Sequence, residues 1–353
     1  MVCRECGLVQ SVYSTSINPR EILSLSSGAD FGNVRYGKSF TTRAHMEILD
    51  KIVPWKEIKS VLDIGSNRGS FIYATYFRGD FSITAVEPDT RITPNYREYP
   101  RVNLIKKRIE DVDLTANIYD LIYSSHTFEH LKSPYAVFSQ LITCSKKGTY
   151  FIVEVPNING VTSSDVLEEW FIDAHTFHFS GITLSAYLRC FGWDVIYEKL
   201  NKSEITFTAT WNGIPGPPDK KNSTEVAKSV EALRLYQKNR LRALAHLKYI
   251  VEYITSFYPK KIAIWGAGRI FDALVRSGNL DVKKIAYIVD SYLPQYRPTI
   301  QGMRIHTPEE VDFKTCDVIF IASRDYTNQI KEALALHDFR GVLLDFPSLM
   351  RQL

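Results

Sequence analysis

Two short stretches carry side chains that could move a proton or hold a metal ion. His175 and His178 stand three residues apart in IDAHTFHFS, and Glu129 and His130 stand together in SSHTFEHL. An imidazole takes up a proton near neutral pH, and imidazole and carboxylate groups also bind divalent metals. Beside the histidine pair, Asp173 is the nearest further residue of a ligand type. A catalytic base, a metal site and simple packing all remain open interpretations of these residues.

A glycine-containing turn could bring the backbone close to a nucleotide. The run VLDIGSNRGSF places Asp63, Gly65 and Gly69 at the end of an apolar stretch that predicts a buried strand. Glycine in such a turn allows close approach of a ligand to the backbone. The two glycines do not form the three-glycine dinucleotide pattern, and no lysine follows in the spacing of a P-loop.

Acidic residues end the next two predicted strands. Glu87 ends FSITAVE, where a carboxylate can accept hydrogen bonds from both ribose hydroxyls of a nucleotide. Glu110 and Asp111 follow the third strand, where an acid could accept a hydrogen bond from an adenine amino group. Each acid taken alone also fits a capped turn, but all three features in register favour a nucleotide site.

The elements that position these residues alternate between strands and helices. Apolar strand patterns recur in VLDI, ITAV, VNLI, YDLIYSS and YFIVEV, with helical patterns between most of them, and WDVIYEKL and SEITFTATW add a closing antiparallel pair. This alternation predicts a doubly wound α/β sheet. A linker, NGIPGPPDKKNS, and a long amphipathic helix or helix pair follow.

A second α/β unit begins at KKIAIWGAGRI. Gly266 and Gly268 form a G-x-G turn, Phe271 stands at the third glycine position, and Asp290 ends the next strand. The missing third glycine disfavours tight packing over a pyrophosphate. A scaffold that shapes a substrate cleft, a bound dinucleotide and a purely structural role stay open.

Composition excludes several classes of protein. The 353 residues carry a formal net charge of +4 and are 45% apolar, with no dominant block of Lys or Arg, so nucleic acid is not expected as a partner. No apolar run approaches the roughly 18 residues of a membrane span, and the start lacks a signal-peptide pattern. Of five cysteines only Cys3 and Cys6 are close in sequence, which favours a reduced, cytoplasmic compartment.

Residues 55–200 resemble the class I S-adenosylmethionine-dependent methyltransferases. The resemblance rests on VLDIGSNRGSF, TAVEPD, RIEDV, YDLIYSSHTFEHLKSP and the strand end EVPN. It implies a Rossmann-like fold, S-adenosylmethionine as cofactor and direct methyl transfer, with His130 of the E-H-L run beside the acceptor or, equally, capping a helix. The implied cofactor residues are Asp63, Gly65, Ser66 and Gly69, with Glu87 at the ribose, Asp111 at the adenine and Ser125 near the sulfonium.

The order of segments resembles the sugar C-methyltransferases. VDSYLPQYRPTIQGMRIHTPEEV is similar to their C-terminal domain, and CRECGLVQ to the second half of their N-terminal zinc module. VRYGKSFTTRAH, with Tyr36 and His45, resembles the segment that closes over the cofactor. A structural zinc site takes about four ligands. Cys3 and Cys6 supply two, so half a zinc site and a pair of free thiols both stay open.

The same family implies a role for one histidine. Its run Y-H-E-H-x-S-Y-x-S follows the fifth strand, and the second histidine is the catalytic base. His175 aligns with that base, because both stand five residues before a serine, whereas Ile172, Asp173 and Ala174 replace the Tyr, His and Glu of the run. The loss of Tyr and Glu weakens C-methylation and leaves O- or N-methylation open.

We therefore predict an α/β protein with a Rossmann-like class I methyltransferase domain followed by a second Rossmann-like α/β domain. The predicted segments are a cysteine-module remnant with a lid (1–37), the methyltransferase domain (38–211), a linker with a helical connector (212–255) and the C-terminal domain (256–353). The predicted function is C- or O-methylation of a nucleotide-linked sugar in deoxysugar or surface polysaccharide biosynthesis, with His175, Glu129, His130 and Tyr36 as the catalytic residues. The alternatives are a non-catalytic nucleotide-binding protein and an NAD-linked sugar oxidoreductase.

Overall fold

The structure is a computed structural model that forms two compact units. It describes residues 1–12, 39–89, 96–167, 170–171, 175–217, 221–295, 297–324 and 326–352, with only the backbone at 39 and 40. The first unit contains the described residues up to 161 together with 170–233, and the second contains 162–167 and the described residues from 234 onward.

The first unit holds a seven-stranded sheet whose order is β4-β3-β2-β5-β6-β9-β8. Strands β2 to β6 are parallel, β9 is antiparallel to β6, and β8 is antiparallel to β9. The strands are β2 (Ser60–Ile64), β3 (Ser82–Val86), β4 (Val102–Ile105), β5 (Tyr119–Ser125), β6 (Ser145–Pro156), β8 (Trp193–Leu200) and β9 (Glu204–Trp211). A separate antiparallel pair joins β1 (Val9–Gln10) to β7 (Phe177–His178).

The helices of this unit are positioned by local signals in the sequence. They are α1 (Ser39–Ile52), α2 (Ser70–Thr75), α3 (Pro134–Thr143) and α4 (Gly181–Cys190). Ser133 caps α3 by accepting from the backbone N–H of Ala136, with Pro134 at the first helical position. Ser180 and Thr183 form a capping box at the start of α4. Apolar clusters fill both faces of the sheet.

The second unit holds a six-stranded sheet, and the chain enters it through a long helix. Helix α5 (Ser223–Thr255) is one continuous helix of 33 residues. The order of the strands is β12-β13-β11-β10-β14-β15, parallel except for β12 beside β13. The elements are β10 (Ile262–Trp265), α6 (Arg269–Arg276), β11 (Tyr287–Val289), β12 (Thr299–Ile300), β13 (Met303–His306), β14 (Val318–Ile321), α7 (Thr327–Leu336), β15 (Val342–Asp345) and α8 (Phe346–Gln352).

Two α/β sheets and the antiparallel closing pair confirm the predicted fold class. The connector, for which a helix pair was an option, is a single helix. The exact domain boundaries stay a prediction, and most of segment 1–37 lies outside the described residues. Across the described part of the chain, no helix has the length and apolar character needed to cross a membrane.

Candidate functional site

The glycine turn after β2 has the tight backbone that its sequence predicts. Gly65 and Gly69 have φ of 72° and 75°, in the left-handed region that favours glycine. A Cβ at Gly65 would collide with the hydroxyl of Thr127, and a Cβ at Gly69 with the hydroxyl of Tyr96. Side chains of this unit therefore already approach both glycines closely, and neither position tolerates a larger residue.

Glu87 holds this turn from the end of β3. Its Oε2 accepts from the backbone N–H of Asn67 at 2.9 Å, and its Oε1 accepts from that of Asp89 at 2.9 Å. Asn67 itself has a φ of 49°, so the carboxylate fixes a strained position of the turn. A carboxylate has about four acceptor sites, so these two bonds leave capacity for ribose hydroxyls.

The buried polar groups beside the turn fit a polar ligand such as S-adenosylmethionine. The hydroxyls of Ser66 and Tyr96 are buried and accept or donate no hydrogen bond within the described part of the chain. Buried polar groups are normally satisfied, so such atoms suit the contact surface of a ligand. Asp63, at 1% exposure, raises the pKa of Tyr96 above its usual range, after the larger effect of burial.

The two remaining predicted cofactor residues have different surroundings. Asp111 is exposed in a short 3₁₀ turn, Ile109–Asp111. Its neighbour Glu110 is engaged, since it accepts from Arg108 at 3.1 Å and from the backbone N–H of Lys132 at 2.8 Å. Ser125 is fully buried at the end of β5 and donates to the Oε1 of Glu154 at 3.1 Å.

Glu154, in β6, is the centre of a buried hydrogen-bond network. Its Oε2 lies 2.8 Å from the Nε2 of His45 and accepts from the hydroxyl of Thr206 at 2.9 Å. Its Oε1 accepts from Ser125 and lies 3.3 Å from the Nε2 of His126. Burial alone would raise the pKa of Glu154, but the bonds from His126 and His45 lower it well below its usual range. Glu154 is thus a buried carboxylate held in its charged form.

His126 links this network to the predicted acceptor residues. It has a φ of 50°, and its Nδ1 lies 3.4 Å from the Oε1 of Glu129. Burial opposes protonation of the imidazole, but Glu129 and Glu154 outweigh it and raise the pKa of His126 to about 10. Burial would likewise raise the pKa of Glu129, but the neighbouring histidines His130 and His126 lower it to about 2.

The structure brings His175 together with Glu129 and His130. The rings of His130 and His175 have centroids 4.7 Å apart, and the Nε2 of His130 lies 3.7 Å from the Oε1 of Glu129. The ligand atoms of the three side chains all lie within 4.8 Å of one another. Burial and the neighbouring His130 lower the pKa of His175 to about 3, so this imidazole is neutral at pH 7. It is therefore a weak base.

His178 lies apart from the cluster of Glu129, His130 and His175. The ring of His178 is 6.3 Å from that of His175, and its Nε2 bonds the hydroxyl of Ser11 at 2.9 Å. His178 is 4% exposed within the pair of β1 and β7, which fits packing. The proposed third ligand, Asp173, and the predicted site residue Tyr36 lie outside the described residues.

The Cys3 and Cys6 thiols form a tight turn at the start of the chain. The backbone N–H of Cys3 donates to the carbonyl of Leu8 at 2.8 Å. Backbone hydrogen bonds lower the pKa of Cys3, whereas burial raises that of Cys6. Within the described ranges, no group of three or more ligating side chains includes either thiol. The half zinc site therefore stays a prediction.

The second glycine turn is held by an acid of its own unit. The Oδ2 of Asp290 accepts from the backbone N–H of Ala267 at 3.1 Å, and its Oδ1 accepts from that of Leu293 at 3.0 Å. Gly266 has a φ of 117° and packs against the carbonyl of Ala322. Phe271, in place of the third glycine, is fully buried in the core of the unit.

Sequence reasoning missed His126, Glu154, Thr206 and Tyr96. Glu154 carried a usable signal, because a charged residue inside the apolar strand YFIVEVP must be paired when buried. His126 lies beside Glu129 in the same short stretch and could have been grouped with it. Thr206 and Tyr96 carried no such signal in the sequence. Thr206 reaches Glu154 only through the register of two strands, and Tyr96 approaches Gly69 from another part of the chain.

Comparisons with known proteins agree with this geometry. Residues 38–198 match the family model described as Methyltransferase domain, and residues 258–339 match one described as C2185-like, N-terminal. No curated protein matches the sequence.

Three solved structures illustrate the likeness of fold. The 1,6-didemethyltoxoflavin-N1-methyltransferase of Burkholderia thailandensis is 14% identical over 58% of this chain and 95% of its own, with a TM-score of 0.43. An S-adenosylmethionine-dependent methyltransferase of Mesorhizobium loti is 11% identical over 47% and 97%, with a TM-score of 0.38. One from Aquifex aeolicus is 16% identical over 55% and 98%, with a TM-score of 0.37. Because the sequence identities and the TM-scores are this low, these likenesses carry no argument about function.

The family match and the site concern the same part of the chain. The matched residues include the glycine turn after β2, the acid after β3 and the polar network at the ends of β5 and β6. The order of the seven strands is that of a doubly wound sheet closed by an antiparallel pair. Residues 38–198 are therefore a class I methyltransferase domain, with S-adenosylmethionine as its cofactor.

Proposed function

We propose that the chain transfers a methyl group from S-adenosylmethionine to a nucleotide-linked sugar, with a hydroxyl oxygen of that sugar as the acceptor atom. The observation that carries the proposal is the cluster of Glu129, His130 and His175 near the carboxyl end of β5. A cluster of one carboxylate and two imidazoles can bind and orient a polar acceptor and take up its proton.

The cofactor would be held around the first glycine turn. Asp63, Gly65, Ser66 and Gly69 would line its methionine and ribose side, and Glu87 would accept from the ribose hydroxyls. Asp111 would face the adenine and Ser125 the sulfonium end. When bound, S-adenosylmethionine supplies an electrophilic methyl group, so the protein mainly has to place a nucleophile in line with it.

The choice of oxygen as acceptor follows from the state of the imidazoles. The lowered pKa of His175 keeps that imidazole neutral at pH 7. Abstraction of a proton from carbon would also require groups that stabilise an enolate, and Ile172 and Ala174 replace the Tyr and Glu that serve the sugar C-methyltransferases. A hydroxyl can lose its proton as the new O–CH₃ bond forms, which a weak, well-positioned base permits.

We propose a sugar as the acceptor because the order of segments in this chain resembles that in the sugar C-methyltransferases. The N-terminal CRECGLVQ, the methyltransferase domain and the C-terminal G-x-G unit follow in the same order as in that family. In this proposal Cys3 and Cys6 are half of a zinc site. The product would enter deoxysugar or surface polysaccharide synthesis, in the cytoplasm.

The cofactor part of the proposal is tested by titrating S-adenosylhomocysteine into the purified protein in a calorimeter. Asp63→Asn, which keeps the shape and removes the charge, should weaken binding at least tenfold. The matched control is Asp290→Asn, an acid beside the glycine turn of the second unit, which should leave the affinity unchanged. Equal loss in both variants, or no binding to the unmodified chain, would contradict this cofactor site.

The acceptor is tested with a panel of sugar nucleotides and a ¹³C-methyl donor. The carbon NMR shift of the product distinguishes an O-methyl from a C-methyl group, so the assay decides the acceptor atom directly. Transfer to oxygen supports the proposal, and transfer to carbon corrects the acceptor atom. Cofactor binding without transfer to any member of the panel would favour a non-catalytic nucleotide-binding protein.

A further inference from the structure

Three side chains of metal-binding types converge from two separate stretches of the sequence. Glu129 and His130 lie in the 3₁₀ turn Phe128–His130, and His175 lies just before β7. The backbone N–H of Thr176 donates to the carbonyl of Glu129 at 2.8 Å, which fixes the segment carrying His175 against this turn. The convergence is therefore built by backbone contacts and does not depend on long flexible side chains.

The carboxylate of Glu129 has an open ligand position. Its side chain is 3% exposed, and its Oε2 is buried without a hydrogen-bond partner in the described ranges of the chain. Its other oxygen, Oε1, faces the Nδ1 of His126 at 3.4 Å. Oε1 therefore faces two imidazoles, that of His126 and, at 3.7 Å, that of His130, whereas Oε2 has no hydrogen-bond partner among the described residues. This division is usual for carboxylates that bind a metal and are oriented by a second hydrogen bond.

We propose that Glu129, His130 and His175 bind one divalent cation of the Zn²⁺ or Mn²⁺ class. Two imidazoles with one carboxylate favour these ions over Mg²⁺ and Ca²⁺, which prefer oxygen ligands throughout. The ligand atoms lie within 4.8 Å of one another, so side-chain rotations bring them to the metal–ligand distances of about 2.0–2.2 Å. Three protein ligands leave at least one coordination position open for a substrate oxygen.

This inference deepens the proposed function and rests on it for the role of the ion. A sugar hydroxyl bound at the open position has a lowered pKa and releases its proton to water. A lone pair of that oxygen then forms the O–CH₃ bond, while the electron pair of the breaking S–CH₃ bond stays on sulfur and gives S-adenosylhomocysteine. With the ion bound, His175 is a ligand, and the ion takes over the activation of the hydroxyl that the neutral imidazole provides in the absence of metal.

Titration with Co²⁺ tests the site without turnover. Co²⁺ bound by nitrogen and oxygen gives weak visible bands, whereas thiolate ligands add an intense near-ultraviolet charge-transfer band that would reveal binding at Cys3 and Cys6. We expect about one Co²⁺ per chain, displaced by Zn²⁺, with visible bands that persist in a Cys3→Ser/Cys6→Ser variant. Loss of second-shell partners already weakens metal sites 10–100-fold, so Glu129→Gln should weaken binding at least tenfold.

Two further variants keep the test decisive. His130→Asn changes a side chain that is 37% exposed, and it should weaken Co²⁺ binding even if the buried Glu129→Gln substitution prevents folding. The matched control is His246→Asn, a histidine of the second unit outside the cluster, which should bind as the unmodified protein does. Binding that is lost only with the two cysteines, or that survives both Glu129→Gln and His130→Asn, overturns the proposal. Calorimetric affinity for S-adenosylhomocysteine is measured in parallel, so failure of the metal site is distinguishable from failure of the cofactor site.

Discussion

Removing the charge of Glu154 while keeping its shape should destabilise the first unit strongly. Glu154 is 3% exposed, and four side chains approach its two oxygens at 2.8–3.3 Å. The substitution Glu154→Gln replaces one oxygen by an NH₂ group that can only donate. Whichever way the amide turns, two of the four neighbours lose their acceptor.

The size of the effect follows from the strength of these bonds. Hydrogen bonds to a charged group contribute about 1.5–3 kcal/mol each. Losing two would cost about 3–6 kcal/mol, and rotation of the hydroxyls of Ser125 and Thr206 recovers part of that. We expect a loss of about 3 kcal/mol in the free energy of unfolding, within the range found when a buried ion pair is broken. For a unit of this size the midpoint of thermal unfolding should fall by roughly 6–12 °C.

The assay is urea unfolding followed by circular dichroism, with the transition of the first unit fitted separately if two transitions appear. The matched control is Glu198→Gln, an exposed glutamate on β8, whose effect should stay within about 0.5 kcal/mol. If Glu154→Gln costs no more than Glu198→Gln, the network does not hold the strand ends as described.

Three further predictions concern the site and its neighbour unit. Gly69→Ala introduces a Cβ that meets the hydroxyl of Tyr96 at a φ of 75°, so calorimetry should show at least tenfold weaker binding of S-adenosylhomocysteine. The pKa of Glu129 is lowered to about 2, so its ionised carboxylate stabilises the fold above about pH 4.5, and this stabilisation is lost as the pH falls towards 2. The free energy of unfolding should therefore fall by up to about 3 kcal/mol across that pH window. The Glu129→Gln variant should show a flatter pH dependence. Asp290→Asn keeps one acceptor oxygen but loses the bond from Ala267, so the second unit should lose about 1–2 kcal/mol in urea unfolding.

Much of the fold could be read from the sequence because its signals are local. Apolar runs, the glycine turn after β2 and the capping serine of α4 each specify their element within a few residues. The polar network could not be read in this way. Ser125 lies opposite Glu154 only through the register of β5 and β6, and Thr206 lies opposite Glu154 only through that of β6 and β9. A shift of two residues in either register would leave the sequence pattern intact and separate these side chains.

The two glycine turns explain why an acid at the end of a second strand does not by itself identify a nucleotide site. Glu87 accepts from a backbone N–H of the first turn, and Asp290 accepts from one of the second. Both acids therefore have a structural role that would keep them in place with or without a ligand. The two turns differ at the residue that caps the following helix. Gly69 is left-handed, whereas Gly268 is extended at φ −90°, and Phe271, three residues further on, is buried. The backbone conformation of the turn, and not the acid that follows, therefore distinguishes the first glycine turn, which fits the cofactor, from the second, where Phe271 is packed in the core.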